Sequence, residues 1–258
     1  MTIDMNDLES RDNLIFGIRP VIEALKAGRE FEKIFIQDKL HGQQVPELKK
    51  LIRDANTPFQ YVPVEKLNRL TRKNHQGVAG FISLIPYQQV SDVIQNIFEK
   101  GEIPLILILD RVTDVRNFGA IARSGECAGA HAVVIAEKGS AAVNADAIKS
   151  SAGALNLIPV CKEKNLKEVI DYLKNSGLKI VSCSEKGEKL FYQAKLADPV
   201  AIIMGSEEDG VSEEYLKRSD ETVKIPMFGN IGSLNVSVAA GIILFETVRQ
   251  RNGRNQVP

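Results

Sequence analysis

The sequence predicts an α/β protein in two parts, a smaller N-terminal α/β domain and a C-terminal domain built on a parallel sheet. Three observations carry that expectation. From Pro104 onward, apolar runs such as LILILD, HAVVIAE, LKIVSC and VAIIMG alternate with helical segments. Strands so continuously apolar are covered on both faces, as in parallel sheets. Residues 14–86 read instead as a compact small sheet with helices, and Pro86 followed by the polar YQQ marks a boundary between the two patterns. A chain of 258 residues has the length for two such domains, each with its own core.

Taken in order, IFGIRPVIEALKAG reads as a turn and helix ending at Gly28, and KIFIQ as a short alternating strand. QVPELKKLIRDAN spaces Val45, Leu48, Leu51 and Ile52 at helical intervals, and FQYVPV and GVAGFISLI read as strands. These make up a domain over residues 12–86. VSDVIQNIFEKG is a helix with Ser91 as its expected N-cap, so residues 87–103 serve as a linker and leading helix. The C-terminal domain, 104–252, alternates LILILD, NFGAIARSGECAGA, HAVVIAE, ADAIKSSAGALN, LIPVCK, LKEVIDYLKNSG, LKIVSC and VAIIMG. It continues through the helical SEEYLKRS and the strand TVKIPM to a last helix from about Leu234 to Arg251.

Composition narrows the function classes. Hydrophobic residues at 44% and charged residues at 26% describe an ordinary globular protein, and no apolar run approaches the roughly 20 residues that span a bilayer. The opening MTIDMNDLESRDN is acidic and polar, without the basic-then-apolar order of a signal peptide, which implies a cytoplasmic protein with a flexible first turn. Cys127, Cys161 and Cys183 are too scattered for a CxxC motif and read as buried free thiols. His41, His75 and His131 are equally scattered, so no metal is expected. Lys and Arg number 33 against 33 Asp and Glu, so any contact with nucleic acid must come from a local basic patch.

In open parallel sheets ligands bind beyond the carboxyl ends of the strands, and three strand ends carry suitable residues. After LILILD come Asp110, Asp114, Arg116, Asn117, Gly119 and Arg123. A helix starting near Asn117 would let Arg123 reach back to its N-terminus, a place for phosphate; the same residues also read as a structural cap and ion pair. After VAIIMG come Glu207, Glu208 and Asp209 between Gly205 and Gly210, which read either as a solvated loop or as carboxylates for a ribose hydroxyl or a cation. After IPM the chain turns through FGNIG to Ser233, Asn235 and Ser237, where Ser233 is a candidate N-cap. GxGxxG after a strand, GxxxxGK[ST] and GxSxG are all absent, which leaves a nicotinamide, P-loop or hydrolase site unsupported.

Together these segments resemble the SpoU (TrmH) family of RNA ribose 2′-O-methyltransferases. DRVTDVRNFGAIARS (110–124), IMGSEEDG (203–210) and IPMFGNIGSLNVSVA (225–239) are similar to the family's three motifs in order and spacing. FGIRPVIEAL (16–25) and NHQGVAG (74–80) resemble the substrate-binding domain of the branch that methylates a guanosine in 23S ribosomal RNA. The pattern is departed from in two motifs: Glu208 and Asp209 follow the glutamate where Gly is usual, and Gly232 precedes the serine where Glu is usual.

The resemblance implies a deep trefoil knot in the C-terminal part of the sheet, a homodimer with the active site near the subunit interface, and S-adenosylmethionine as the cofactor. It implies catalytic positions at Asn117, Arg123, Glu207, Ser233 and Asn235, and cofactor contacts at Met204, Gly205, Ile225, Met227 and Leu234. A proton-accepting role for the arginine, as proposed for the family, conflicts with a guanidinium's retention of its proton in proteins, so Arg123 is expected to bind a phosphate and the developing alkoxide. Glu207 is expected to orient the arginine or the methionine end. For RNA binding, LNRLTRKNHQG offers Arg69, Arg72, Lys73 and His75, with Arg19, Lys26 and Arg29 as further members of a basic face. A tRNA ribose, or an RNA-binding relative without turnover, are the alternatives.

Overall fold

A computed structural model describes residues 13–254, so the acidic opening and its expected flexible turn lie outside the described residues. The chain divides into two compact units. One holds the residues up to Pro86 with Val143–Ala145, and the other holds the remainder.

In the first unit, β1 (Leu14–Phe16), β2 (Phe31–Gln37), β3 (Phe59–Val62) and β4 (Val78–Ile82) form a sheet in the order β1-β4-β2-β3. β4 runs antiparallel to both neighbours, and β3 is a parallel edge strand on β2. Strand periodicity sorts the core into two layers. Ile34 and Ile36 meet helices α1 (Ile18–Lys26) and α2 (Val45–Asp54), while Phe35 and Val62 meet α3 (Val64–Leu70) through Leu67. Helix α3 and strand β1 were not foreseen. α3 takes up the first part of the segment read as a basic run, and β1 begins where a turn was read.

The second unit is an eight-stranded sheet, parallel throughout. Its strands are β5 (Tyr87–Gln88), β6 (Leu105–Leu109), β7 (Ala132–Ala136), β8 (Val160–Glu163), β9 (Lys179–Cys183), β10 (Lys189–Leu190), β11 (Val200–Met204) and β12 (Glu221–Lys224). Their order is β10-β12-β9-β11-β6-β7-β8-β5. The central strands β6 and β11 are buried along their whole length, as their unbroken apolar runs require. Helices α4 (Val90–Glu99), α7 (Leu166–Asn175) and α8 (Glu213–Arg218) cover one face through Val93, Ile97, Ile170 and Leu173. Helices α5 (Val115–Cys127) and α9 (Val236–Arg254) pack on each other, and Gly125 of α5 lies against Leu107 on the opposite face. A short helix, α6 (Ala145–Ser150), follows β7.

Two readings of the boundary region need correction. Residues 87–103 are part of the sheet domain: β5 pairs with β8, and α4 buries Val90, Val93, Ile94 and Ile97 in its core. Ser91 is the second residue of α4, so it cannot be its N-cap; Gln89 stands there, and the free Val90 N–H donates to Glu163 Oε1 at 3.0 Å.

From β6 the chain moves outward to β7 and β8, and from β11, β6's neighbour, it moves the other way to β12. The carboxyl ends of β6 and β11 therefore flank a topological switch point. The segment after β12 returns to that point, and α9 then descends to the opposite end of the sheet. There Arg251 donates to the carbonyls of Ile103 and Pro104 at 2.9 and 2.7 Å, just ahead of β6.

Candidate active site

Each of the three chemically rich segments enters the switch point from a strand end. After β6, Asp114 caps α5, its Oδ1 accepting from the N–H groups of Arg116 and Asn117 at 2.8 and 2.9 Å. The cap sets Asn117 in the first turn with its amide free for other work. Of the two readings of Asp114, the structural cap is the one observed. Asp110 pairs with Arg111, not with Arg123.

After β11 the chain turns back on itself through a bridge between Ser206 and Gly210. Gly205 is needed there, because a Cβ would sit 2.0 Å from the Gly210 carbonyl carbon. Asp209 N–H donates to Ser206 Oγ, and Glu207 projects from the tip. Arg111 clamps this loop to β6. Its Nε and Nη2 donate to the two oxygens of buried Asp110 at 2.9 and 3.1 Å, while Nη1 reaches Asp209 Oδ2 at 2.9 Å and Nη2 also reaches the Gly210 carbonyl at 3.1 Å. The hydrogen bond to Asp110 chiefly raises the Arg111 pKa, which keeps the clamp charged. Arg111 holds a left-handed backbone, φ 57°, to make these contacts. Asp209, which with Glu208 departs from the family pattern, is thus neutralised by an ion pair.

After β12, Asn235 serves as the cap of α9. Its Oδ1 accepts from Ser237 N–H at 2.9 Å and from Ser237 Oγ at 2.6 Å. Ser233 lies two residues further out, exposed, so its expected capping role falls to Asn235. The Asn235 amide nitrogen donates to Asn117 Oδ1 and to Glu207 Oε1, each at 3.0 Å, and Asn117 Nδ2 donates to the same Glu207 oxygen at 2.6 Å. Three distant segments thereby meet in one cluster.

Two clefts flank it. One, of about 250 Å³, is lined by all five expected cofactor residues, Met204, Gly205, Ile225, Met227 and Leu234, and by Ser233. The other, of about 350 Å³, has Thr113, Asp114 and Asn117 in its wall. Ser206, Glu207 and Glu208 line both. Strand β9 adds Cys183, Ser184 and Glu185 to the first cleft, which were not anticipated. The same rule would have found them, since Ser184 and Glu185 follow LKIVSC at the carboxyl end of β11's neighbour. Burial, and next Glu185, push the Cys183 thiol up to about 12, so it stays protonated beside the cleft and is no nucleophile at neutral pH. Cys161 is buried as expected, whereas Cys127 is exposed.

The remaining site residues fall elsewhere. Arg123 stands on the exposed side of α5, about 9 Å along the axis from Asn117 by helical rise. It makes no hydrogen bond or ion pair among the described residues, and the partners of Glu207 are amides where an arginine was expected. Arg69, Arg72 and Lys73 are exposed in the first unit. His75 is buried and leaves that surface: its Nδ1 accepts from Gly77 N–H at 3.0 Å and its Nε2 meets Asn68 Oδ1 at 2.9 Å. Among the described residues no group of His, Cys, Asp and Glu is placed to hold a metal ion, and no helix is long and apolar enough to cross a membrane.

Comparison with known proteins bears on both units. Residues 104–245 match the model of the SpoU rRNA methylase family, and residues 14–88 match that for RNA 2′-O ribose methyltransferase substrate binding. YacO of Bacillus subtilis, named for the TrmH family of tRNA/rRNA methyltransferases, is 31% identical over 245 residues, covering 95% of this chain and 98% of its own. A Staphylococcus aureus protein named for the same family is 34% identical over 247 residues, covering 95% and 99%. The crystal structure of the SpoU methyltransferase AviRb from Streptomyces viridochromogenes, in complex with AdoMet, superposes with a TM-score of 0.60 at 26% identity, over 93% of this chain and 90% of that one. With both family models matched in order along the chain, and the motif residues of three strand ends gathered at one switch point, the protein belongs to the SpoU family of RNA methyltransferases.

Proposed function

We propose that the protein methylates a ribose 2′-hydroxyl of RNA with S-adenosylmethionine as the donor, and that the acceptor is a guanosine of 23S ribosomal RNA. One observation carries the reading: Asn117, Glu207 and Asn235 are hydrogen-bonded together where two clefts share a wall. When bound, S-adenosylmethionine supplies a methyl carbon whose bond to a cationic sulfur breaks as the 2′-oxygen bonds to it.

The residues present suit that donor. Ile225, Met227 and Leu234 give apolar walls for an adenine, and Met204 and Gly205 offer backbone at a strand end. Glu207 spends Oε1 on two amide donors, leaving Oε2 to face a cation. Asn117, Ser233 and Asn235 then fix the ribose, and positioning is the main catalytic task because the leaving group is neutral once released. Arg123 keeps its proton, binds a phosphate and steadies the developing alkoxide.

The isolation of Arg123 in one chain supports a homodimer whose site is completed near the subunit interface. The trefoil knot characteristic of the family accounts for the return of residues 225–235 to the switch point. Arg69, Arg72 and Lys73 contribute phosphate contacts, and the protein acts in the cytoplasm.

A tRNA ribose is the second reading, favoured by the tRNA/rRNA names of the curated relatives. Incubating the protein and labelled S-adenosylmethionine with ribosomal RNA and tRNA from a strain lacking the gene separates them. Label at one guanosine of 23S RNA is expected. Label confined to tRNA moves the acceptor, and cofactor binding without label in any RNA would reduce the protein to an RNA-binding relative.

A further inference from the structure

Away from the methyl-transfer site, the first unit carries a cleft of about 520 Å³ between α2 and the edge strand β3. Its floor is aliphatic, Ile36 and Ile52, and its rim is aromatic and basic: Phe59 and Tyr61 with His41, Lys49 and Arg53. No carboxylate lines it, in a chain whose Lys and Arg equal its Asp and Glu at 33 each. Glu47, on the adjoining turn of α2, is paired with Lys26 at 2.6 Å.

The two rings are paired. Alternation in β3 puts Phe59 and Tyr61 on one face of the sheet, at its edge, where α2 covers only part of them. They remain 45% and 46% exposed. The rings stand at 90° with centroids 5.6 Å apart, and Lys49 Nζ lies 5.4 Å from the Tyr61 centroid. Neither the Tyr61 hydroxyl nor the guanidinium of Arg53 has a hydrogen-bond partner among the described residues. Paired rings half open to water beside His41, Lys49 and Arg53 leave flat apolar faces next to cations, a combination suited to a stacking anionic ligand.

We propose that this cleft binds unpaired nucleotides of the RNA substrate, with bases stacking on Tyr61 and Phe59 and with Lys49, Arg53 and His41 taking the adjoining phosphates. Aromatic faces beside cations are the chemistry that holds single-stranded nucleic acid. The assignment rests on RNA being the substrate. It adds a second contact surface, distinct from Arg69, Arg72 and Lys73, and it confines recognition there to loops or bulges, because paired bases cannot offer their faces.

The test uses the full chain with two RNA oligonucleotides of equal length, one unstructured and one a closed hairpin duplex. Phe59→Ala with Tyr61→Ala is expected to weaken binding of the unstructured RNA at least tenfold, with little change for the duplex. Tyr61→Trp retains the affinity, and Lys49→Gln with Arg53→Gln lowers the salt slope by about 1.4. The far-ultraviolet circular dichroism and unfolding midpoint of each variant serve as the folding control. Unchanged affinity in the double alanine variant overturns the proposal, as does an equal loss for both RNAs, or unchanged RNA affinity with weakened association to ribosomal subunits, which would give the cleft to a protein. Wild-type protein that binds neither RNA would instead refute the RNA-methylation reading itself.

Discussion

Asn235 carries two duties that substitution can separate. Its Oδ1 caps α9 and its amide nitrogen bridges Asn117 and Glu207. Asn235→Ala removes both, so α9 loses about 1 kcal/mol of cap stabilisation and methyl transfer falls on the order of a hundredfold. Asn235→Asp keeps an acceptor for Ser237 N–H but sets a second carboxylate against Glu207. Its unfolding midpoint should match wild type while its turnover is as low as that of the alanine variant. Near-normal turnover of Asn235→Asp in a steady-state assay would show that the amide bridge is not needed. The duties differ in how far the sequence revealed them. An amide at a strand end, in a motif with two others, pointed to the site, but which of Ser233 and Asn235 begins the helix depends on two residues of phase that periodicity does not fix. His75 shows the same boundary. Its neighbours Arg72 and Lys73 suggest a phosphate grip, yet the tight turn at Gln76 and Gly77, φ 50° and 78°, folds the ring inward onto a backbone N–H. Burial of that kind is set by the third dimension.

At the scale of elements, the site depends on how closely α5 is allowed to approach its neighbours. Gly119 sits one turn beyond the Asp114 cap. A Cβ there would lie 1.9 Å from Ser150 Oγ, 2.6 Å from the Ala147 carbonyl oxygen and 2.9 Å from the Ser151 nitrogen. The hydroxyl can rotate away but the backbone cannot, so Gly119→Ala must push α5 outward, at a cost of about 1–3 kcal/mol, and carry Asn117 with it. Gly241 in α9 is the internal control. The nearest atom to its added Cβ is Ser124 Oγ at 3.8 Å, and Gly241→Ala gains up to about 1 kcal/mol of helix propensity. Urea unfolding of the two variants should give midpoints on opposite sides of wild type. A Gly119→Ala midpoint at or above wild type would mean that the α5 contact is slack. The strands and helices of the second unit were legible because their apolar runs and spacings are strong. Strands β1 and β5, of three and two residues, carry too little sequence to announce themselves and are held by pairing with β4 and β8. Arg111 carries no local signal for a related reason: its importance comes from Asp209 and Gly210, almost a hundred residues away.

For the whole molecule, what one chain leaves uncovered is as informative as what it buries. Helix α9 packs Ala240, Ile243, Leu244 and Thr247 inward but leaves Val238 and Phe245 half exposed, and the segment leading to it holds Phe228 and Ile231 at 96% and 79% exposure. The same α5–α9 layer carries Arg123, an expected catalytic side chain with no hydrogen-bond or ion-pair partner among the described residues. Apolar surface beside an incomplete site has a common explanation in a second copy of the chain, which would cover the first and complete the other. The wild-type protein should then sediment at twice the 28.4 kDa of the chain. A charge at the centre of that surface opposes association, so Phe245→Glu should sediment as a monomer, bind S-adenosylmethionine more weakly and lose methyl transfer, while its far-ultraviolet circular dichroism stays that of the wild type. A fully active monomer would separate the exposed face from catalysis and require Arg123 to reach the ribose within one chain, by a movement of α5 that the Asp114 cap and the Gly119 contact both resist.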